Sequence, residues 1–273
     1  MDGKFMRNQR VSAITKILIE NPNKVINLNV FTNMLNAAKS TISEDIVIVR
    51  ESLKRLEMGT IETISGAAGG VKFVCDISKE ELDRFLEDLC KELQNENRVI
   101  LGNFLYLTDI LSSPRYLKKA GTILASKFIS NEVDYVVTVE TKGIPLAYEV
   151  ANKLGVELII VRRGNKITEG TTISINYLSG SSNRIQTMSL SKKSLPSGSK
   201  CIFIDDFMKA GGTASGIKHL LEEFQSELLG IGVLIDDRSV ENKLMEDYIA
   251  IVEYDGPKDN KTATVRVSEK LDR

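Results

Sequence analysis

From about position 133 onward, apolar β-branched runs alternate with amphipathic stretches: VDYVVTV, IPLAYEVANKL, VELIIVR, KCIFIDD, ASGIKHLLEEF and ELLGIGVLID. Short continuous apolar runs read as strands buried on both faces, and the stretches between them repeat their apolar residues at helical spacing. Few folds accommodate such alternation. It predicts a mostly parallel sheet covered by helices on both faces. One interval departs from the rule: TTISINYLSGSSNRIQTMSL reads as two strands around the turn SGSSN, a hairpin projecting from the sheet.

The amino-terminal part is built differently. Met6, Val11, Ile14, Ile17 and Leu18 recur at helical spacing until Asn21-Pro22 stops the pattern, and a short second segment follows around Leu28 to Leu35. After the tight connection Ala37-Ala38-Lys39-Ser40, a third helix is expected through Ile42, Ile46, Val49, Leu53 and Leu56, with Ser40 or Thr41 as its cap. Three helices with a short turn before the third make a helix-turn-helix. TIETISGAAGGVKFV then places β-branched residues on both sides of a glycine-rich turn, a hairpin in the position of a wing. The fold class is therefore α/β, with a winged helix-turn-helix over 1–74 and a parallel-sheet domain over 75–273. Ser78-x-x-Glu81 is a capping box at the head of an amphipathic helix over 78–94, which carries Leu82, Phe85, Leu86, Leu89 and Leu93 on one face and opens the second domain.

The bulk properties remove several classes. No apolar run approaches the roughly 20 residues that span a bilayer, and the start MDGKFMRNQR has no signal-peptide core, so a cytoplasmic protein is expected. Cys75, Cys90 and Cys201 are widely spaced without a CxxC pair, and His219 is the single histidine, so the thiols read as unpaired and structural and no metal site is expected from the protein alone. Net charge is −1, but positions 1–74 hold ten basic and seven acidic residues, +3, which leaves −4 for the remainder. Such a modest excess suits DNA contact where the charges share a face or a second subunit doubles them.

The chemistry concentrates in Cys201–Thr213, CIFIDDFMKAGGT. A buried strand ends in Asp205 and Asp206, and a short loop then supplies Lys209, Ala210, Gly211, Gly212 and Thr213 where a helix begins. Free backbone N–H groups at a helix start, with no Cβ at the two glycines, form an anion cradle to which Thr213 adds a hydroxyl. Adjacent carboxylates one strand-end away suit acceptance from the two hydroxyls of a ribose, so the spacing fits a sugar held by its 5′-phosphate and its diol. A second loop, Glu140-Thr141-Lys142-Gly143-Ile144-Pro145, follows VDYVVTV and offers Gly143 for unusual dihedrals and Lys142 as a cation.

IFIDDFMKAGGT resembles the motif with which type I phosphoribosyltransferases bind phosphoribosyl pyrophosphate (PRPP). The resemblance implies Asp205 and Asp206 on the ribose hydroxyls, Ala210 to Thr213 around the 5′-phosphate, and Thr141, Lys142 and Gly143 as the pyrophosphate loop. NRIQTMSL, VTVETKGIPLAY, KITEGTTISINYLSGSS, YLTDIL and GAAGGVKF narrow it further, because together with DDFMKAGGT they look like the bacterial purine operon repressors. That family joins a winged helix to a type I phosphoribosyltransferase-like domain. Membership implies a homodimer that binds double-stranded DNA upstream of purine biosynthesis genes, with PRPP as an effector that relieves repression and magnesium arriving with it. Guanosine tetraphosphate is a candidate competitor for the same cradle. The likeness runs from about residue 3 to 236 and leaves DDRSVENKL onward unassigned.

The alternative is a working purine phosphoribosyltransferase. After the strand LLGIGVLID this chain has Asp236-Asp237-Arg238-Ser239-Val240, with no aromatic there to stack a base, which favours a sensor with no catalytic residues. On the DNA side, the amino end of a recognition helix enters the major groove, which nominates Lys39, Ser40, Thr41 and Ser43. Lys72 in the wing and Arg7 and Arg10 on the first helix are the expected phosphate contacts.

Overall fold

Helix α1 (Arg7–Glu20) buries Ile14 and Leu18 one turn apart and ends at Asn21, whose N–H bonds Leu18 O just before Pro22. This is a computed structural model, and it describes residues 4–100, 104–164, 170–179, 184–257 and 263–271. Helix α2 (Leu28–Leu35) is capped by Asn27, whose side chain accepts from Asn29 N at 2.9 Å, and it stops at Asn36 in the left-handed region, φ 45°. Helix α3 (Lys39–Arg55) follows after two residues. Its N-cap is Ala38, with no side-chain bond, so Ser40 and Thr41 lie inside the first turn rather than capping it. The left-handed Asn36 turns the chain so tightly that the helix starts before a hydroxyl is reached.

Strands β1 (Thr60–Ile64) and β2 (Gly70–Val74) pair antiparallel from Thr60↔Val74 to Ile64↔Gly70, with the turn SGAAGG between them. Phe31, Leu35, Ile42, Ile46, Val49, Leu53, Ile61, Val71 and Phe73 join Ile14 and Leu18 in one core, which Cys75 closes. The order is that of a winged helix. By compactness this unit spans Met1–Lys79 and takes in Lys153–Gly155; the other holds Glu80–Asn152 and Val156–Arg273.

In the second unit, α4 (Lys79–Leu93) buries Phe85, Leu86, Leu89 and Leu93. The antiparallel pair β3 (Val99–Ile100) and β4 (Phe104–Leu105), then α5 (Thr108–Leu111) and α6 (Pro114–Phe128), lead into the main sheet. That sheet contains β5 (Tyr135–Val139), β6 (Glu157–Val161), β9 (Lys200–Met208), β10 (Glu227–Asp237), β11 (Ile249–Asp255) and β12 (Thr264–Val267), in the order β12-β11-β10-β9-β5-β6. Its pairings are parallel except for β12, an antiparallel edge to β11. Helices α7 (Ile144–Leu154) and α8 (Gly212–Glu223) are the crossovers after β5 and β9. Strands β7 (Thr172–Ser179) and β8 (Arg184–Ser191) form the expected separate hairpin; residues 180–183 of its turn lie outside the described residues. Val136, Val137, Ile202 and Ile204 are fully buried, as strands sandwiched between helices require.

The three cysteines are free. Burial pushes the Cys90 thiol up to about 11 and the Cys201 thiol up to about 12, which suits packing rather than reactivity. His219 is exposed on α8. Among the described residues no helix is long and apolar enough to cross a membrane.

Candidate functional site

At the carboxyl ends of β5 and β9 the sheet opens into a cavity of about 590 Å³, within the range of small-molecule sites. Its polar rim comes from two loops. Glu140, Thr141 and Lys142 follow β5, and Asp205 to Thr213 run from the end of β9 into α8. Gly211, φ 78°, is the N-cap of α8, and Gly212 is its first residue, so the helix N-terminus and its positive dipole end open onto the cavity. Thr141 and Lys142 are exposed, Gly143 is buried, and the Glu140–Thr141 peptide bond is cis.

The loops approach each other at Gly143. A Cβ placed there would stand 2.5 Å from Asp205 Oδ1 and 2.7 Å from Thr138 Oγ1, so only glycine brings this loop against the Asp205 carboxylate. Asp205 Oδ1 also accepts Asp206 N at 2.9 Å. Burial pushes the Asp205 carboxyl well above the ordinary carboxylate range, and the neighbouring Asp206 charge pushes the same way. Two acceptors that repel each other in a recess are relieved by hydroxyl donors, which is the chemistry of a sugar diol.

Two features of the cavity escaped the sequence reading. Arg163 lines it, held by its N–H on Glu140 Oε1 at 2.7 Å and its Nε on Glu140 O at 3.0 Å, beside the 141–143 loop. The basic pair after β6 was the available signal. The other is aromatic: Phe104 and Tyr106 from the β3–β4 region, with Phe207 from β9, line the wall with Ile100, Leu105 and Leu107. The cavity therefore does hold aromatic surface, which the reading of the stretch after β10 did not anticipate. The stretch after β10 indeed has none; Phe104 and Tyr106 stand about 130 positions upstream of it and Phe207 about 30. Arg98 fixes that wall by pairing both oxygens of Asp109 at 2.8 and 2.7 Å and bonding Tyr106 O at 3.2 Å. Its guanidinium holds the Asp109 carboxyl below the usual range. Lys209 Nζ sits 5.3 Å from the centroid of the Phe104 ring, so the loop that leads into α8 and the aromatic wall touch.

Two family models match the chain. Residues 6–75 match "Bacterial purine repressor, N-terminal" and residues 107–270 match "Phosphoribosyl transferase domain". A purine biosynthesis transcriptional repressor, PurR, of Bacillus subtilis (strain 168) is 47% identical over 249 residues, 91% of this chain and 87% of that one. The chain belongs to the bacterial purine repressor family. A purine biosynthesis transcriptional activator of the same family, from Lactococcus lactis subsp. lactis (strain IL1403), is 41% identical over 91% of this chain and 92% of its own length. Among solved structures, adenine phosphoribosyltransferase from Thermoanaerobacter pseudethanolicus superposes with a TM-score of 0.50 at 20% identity, covering 55% of this chain and 87% of that one. At that identity the likeness concerns the fold alone: the second unit has the phosphoribosyltransferase fold.

On the winged helix of this family member, Lys39, Ser40 and Ser43 are exposed at the start of α3, Thr41 is half-buried, and Ser43 Oγ donates to Lys39 O at 2.9 Å. Lys72 is largely covered and pairs with Glu62 at 3.1 Å. Arg7 is exposed, with Nε 3.6 Å from Asp45 Oδ1. Arg10 is a correction: its side chain is only 9% exposed, with Nε on Asp45 Oδ2 at 2.6 Å, Nη2 on Asp45 Oδ1 at 3.3 Å and Nη1 on Phe5 O at 2.8 Å. It is turned into the protein, clamping α1 to α3, and does not face a phosphate. Arg50 likewise reaches inward, to Ile61 O at 2.9 Å and Thr63 Oγ1 at 2.8 Å, tying α3 to the wing.

Proposed function

We propose that this chain regulates transcription of purine biosynthesis genes by binding double-stranded DNA upstream of them, and that PRPP bound in the second unit sets its affinity for that DNA. The observation that carries the reading is the pairing of a diol-accepting carboxylate pair with a glycine-gated helix N-terminus, in one chain with a winged helix. Asp205 and Asp206 receive the ribose hydroxyls, Lys209 to Thr213 the 5′-phosphate, and Thr141, Lys142, Gly143 and Arg163 the pyrophosphate. Magnesium bound with PRPP would neutralise part of the ligand's charge. Guanosine tetraphosphate presents the same class of groups, a ribose bearing pyrophosphate and a base for the aromatic wall, and competes for the site.

The reading as a sensor without catalysis rests on the fused DNA-binding unit and on relatives named as regulators, because the aromatic wall is compatible with a base. A homodimer doubles the +3 excess of the amino-terminal part and presents two recognition helices, as half-sites spaced by a helical turn require. PRPP changes DNA affinity only to the extent that it prefers one of the two states, so the relation is reciprocal.

A DNA-binding titration on a purine-gene upstream region, with and without Mg²⁺-PRPP, tests reader, ligand and coupling together. PRPP is expected to shift the midpoint; an identical curve in its presence refutes the proposal. Incubation of the same preparation with PRPP and adenine, guanine, hypoxanthine or xanthine is expected to release no pyrophosphate beyond the base-free control. Base-dependent release that disappears when Asp205 and Asp206 are both replaced by alanine would establish the transferase instead.

Lys39 opens α3, exposed and without an ion pair among the described residues. Lys39→Ala is expected to weaken DNA binding by about 1 kcal/mol and to reduce the salt slope by about one, since a phosphate contact is lost. A slope unchanged across a salt series would show that Lys39 does not meet the backbone.

A further inference from the structure

Beyond β10 the chain runs without regular structure from Arg238 to Tyr248 before β11 begins at Ile249, and this is the stretch that the sequence left without a role. Its middle lies against the phosphate loop. Lys243, with a side chain only 6% exposed, spends its ammonium on Met208 O at 3.0 Å, Asp237 O at 2.6 Å and the carboxylate of Asp236, which is itself fully buried. Those three acceptors match its three donors. The next residue, Leu244, donates its N–H to Ala210 O at 2.9 Å. Gly211 is so close behind that a Cβ there would stand 3.0 Å from Met245 N and 3.3 Å from Leu244 N. None of residues 238–248 lines the cavity, whereas Met208 to Thr213 all do.

This arrangement orients the peptide groups that would meet an anion. In a trans peptide the C=O and the following N–H point in opposite directions. The 208–209 and 210–211 peptides are trans. With Met208 O held by Lys243 Nζ and Ala210 O held by Leu244 N, the N–H groups of Lys209 and Gly211 are turned away from the 243–245 segment. We infer that Lys243 is a positioning residue for the 5′-phosphate site: through Met208 and the adjoining Leu244–Ala210 bond it presets the loop peptides with their carbonyls outward and their N–H groups free for phosphate oxygens. It touches no ligand itself. The inference rests on the effector reading of the cavity, and it assigns a role to the carboxy-terminal segment that the two phosphate-binding motifs do not contain.

Lys243→Met alone leaves the buried Asp236 carboxylate with the Tyr248 hydroxyl at 2.8 Å and the Arg238 guanidinium at 3.5 Å but without its buried ammonium, a change that risks unfolding, so the informative protein is the full-length Lys243→Met, Asp236→Asn double variant, which removes the charge pair together. Three quantities are read against the wild type: affinity for ribose 5-phosphate, affinity for Mg²⁺-pyrophosphate, and amide hydrogen exchange of residues 208–213 without ligand. Ribose 5-phosphate affinity is expected to fall about tenfold, the scale of one well-aligned hydrogen bond to a charged group. Pyrophosphate affinity is expected to stay within about twofold, since the 141–143 loop is not held by Lys243, and loop exchange is expected to rise. A folded double variant with unchanged ribose 5-phosphate affinity, or an equal loss for both ligands, overturns the positioning role. Failure of the wild type to bind either ligand condemns the effector reading, and the exchange measurement then decides the loop's dependence on Lys243 by itself: unchanged protection overturns it.

Discussion

Replacing both Asp205 and Asp206 by alanine is expected to lower PRPP affinity by at least about a hundredfold, because two charge-assisted hydrogen bonds to the ribose diol disappear and each contributes roughly 1.5–3 kcal/mol. The lower end of that range applies, since the two carboxylates also repel each other. The same repulsion predicts an effect on the unliganded protein. Burial, and then the Asp206 charge, raise the Asp205 carboxyl above its unfolded value. Its contribution to stability is thus fully present below the unfolded carboxylate pKa and is lost as pH climbs through the raised one. The wild-type second unit should lose stability over that window while its affinity for PRPP grows, as the ionised acceptor forms. Asp205→Asn should flatten both trends. Calorimetric titration of PRPP and thermal unfolding across pH check these outcomes, and DNA binding without effector should be unaffected. Undiminished PRPP affinity in the double alanine variant would remove the ribose assignment.

What the sequence made legible was local. The strand ending in Asp205-Asp206, the Gly211-Gly212 turn into a helix, the three-helix order and the glycine-rich wing are each written in contiguous residues, with periodicity and turn chemistry agreeing. The parallel sheet followed from alternation alone, although its antiparallel edge β12 did not. The misses are contacts between distant positions. Phe104 and Tyr106 reach the cavity only because the β3–β4 pair is brought over the ends of β5 and β9. Lys243 finds Met208 thirty-five positions away. The start of α3 was misplaced by the preference of serine and threonine for caps, which the left-handed Asn36 overrode by setting the length of the turn. Arg10 was misread for a related reason: on a helix of a DNA-binding domain an arginine looks like a phosphate contact, and nothing near it in sequence reveals Asp45.

That Arg10–Asp45 pair leads to the largest expected effect on the amino-terminal unit. Asp45 is 1% exposed and accepts from Arg10 through both carboxylate oxygens, with Arg7 nearby. Among the described residues, Asp45→Ala leaves the buried Arg10 guanidinium with Phe5 O as its bonded acceptor, and breaking a buried pair by deleting one partner costs roughly 3–5 kcal/mol. A unit of this size has only about 5–10 kcal/mol in total, so much of its stability goes. DNA affinity should fall with the folded fraction, even though Asp45 does not face DNA. Replacing the pair together, Arg10→Met with Asp45→Leu, removes both charges and should restore most of the stability, as the exchange of buried ion pairs for apolar residues does elsewhere. Peptide-resolved hydrogen exchange on the full chain separates the two units: protection over α1 and α3 should collapse in Asp45→Ala and return in the double replacement, while β5 and β9 stay protected throughout. Undisturbed α1 and α3 in Asp45→Ala would mean that Arg10 finds water or another acceptor at little cost, and would return Arg10 to the candidates for a DNA contact.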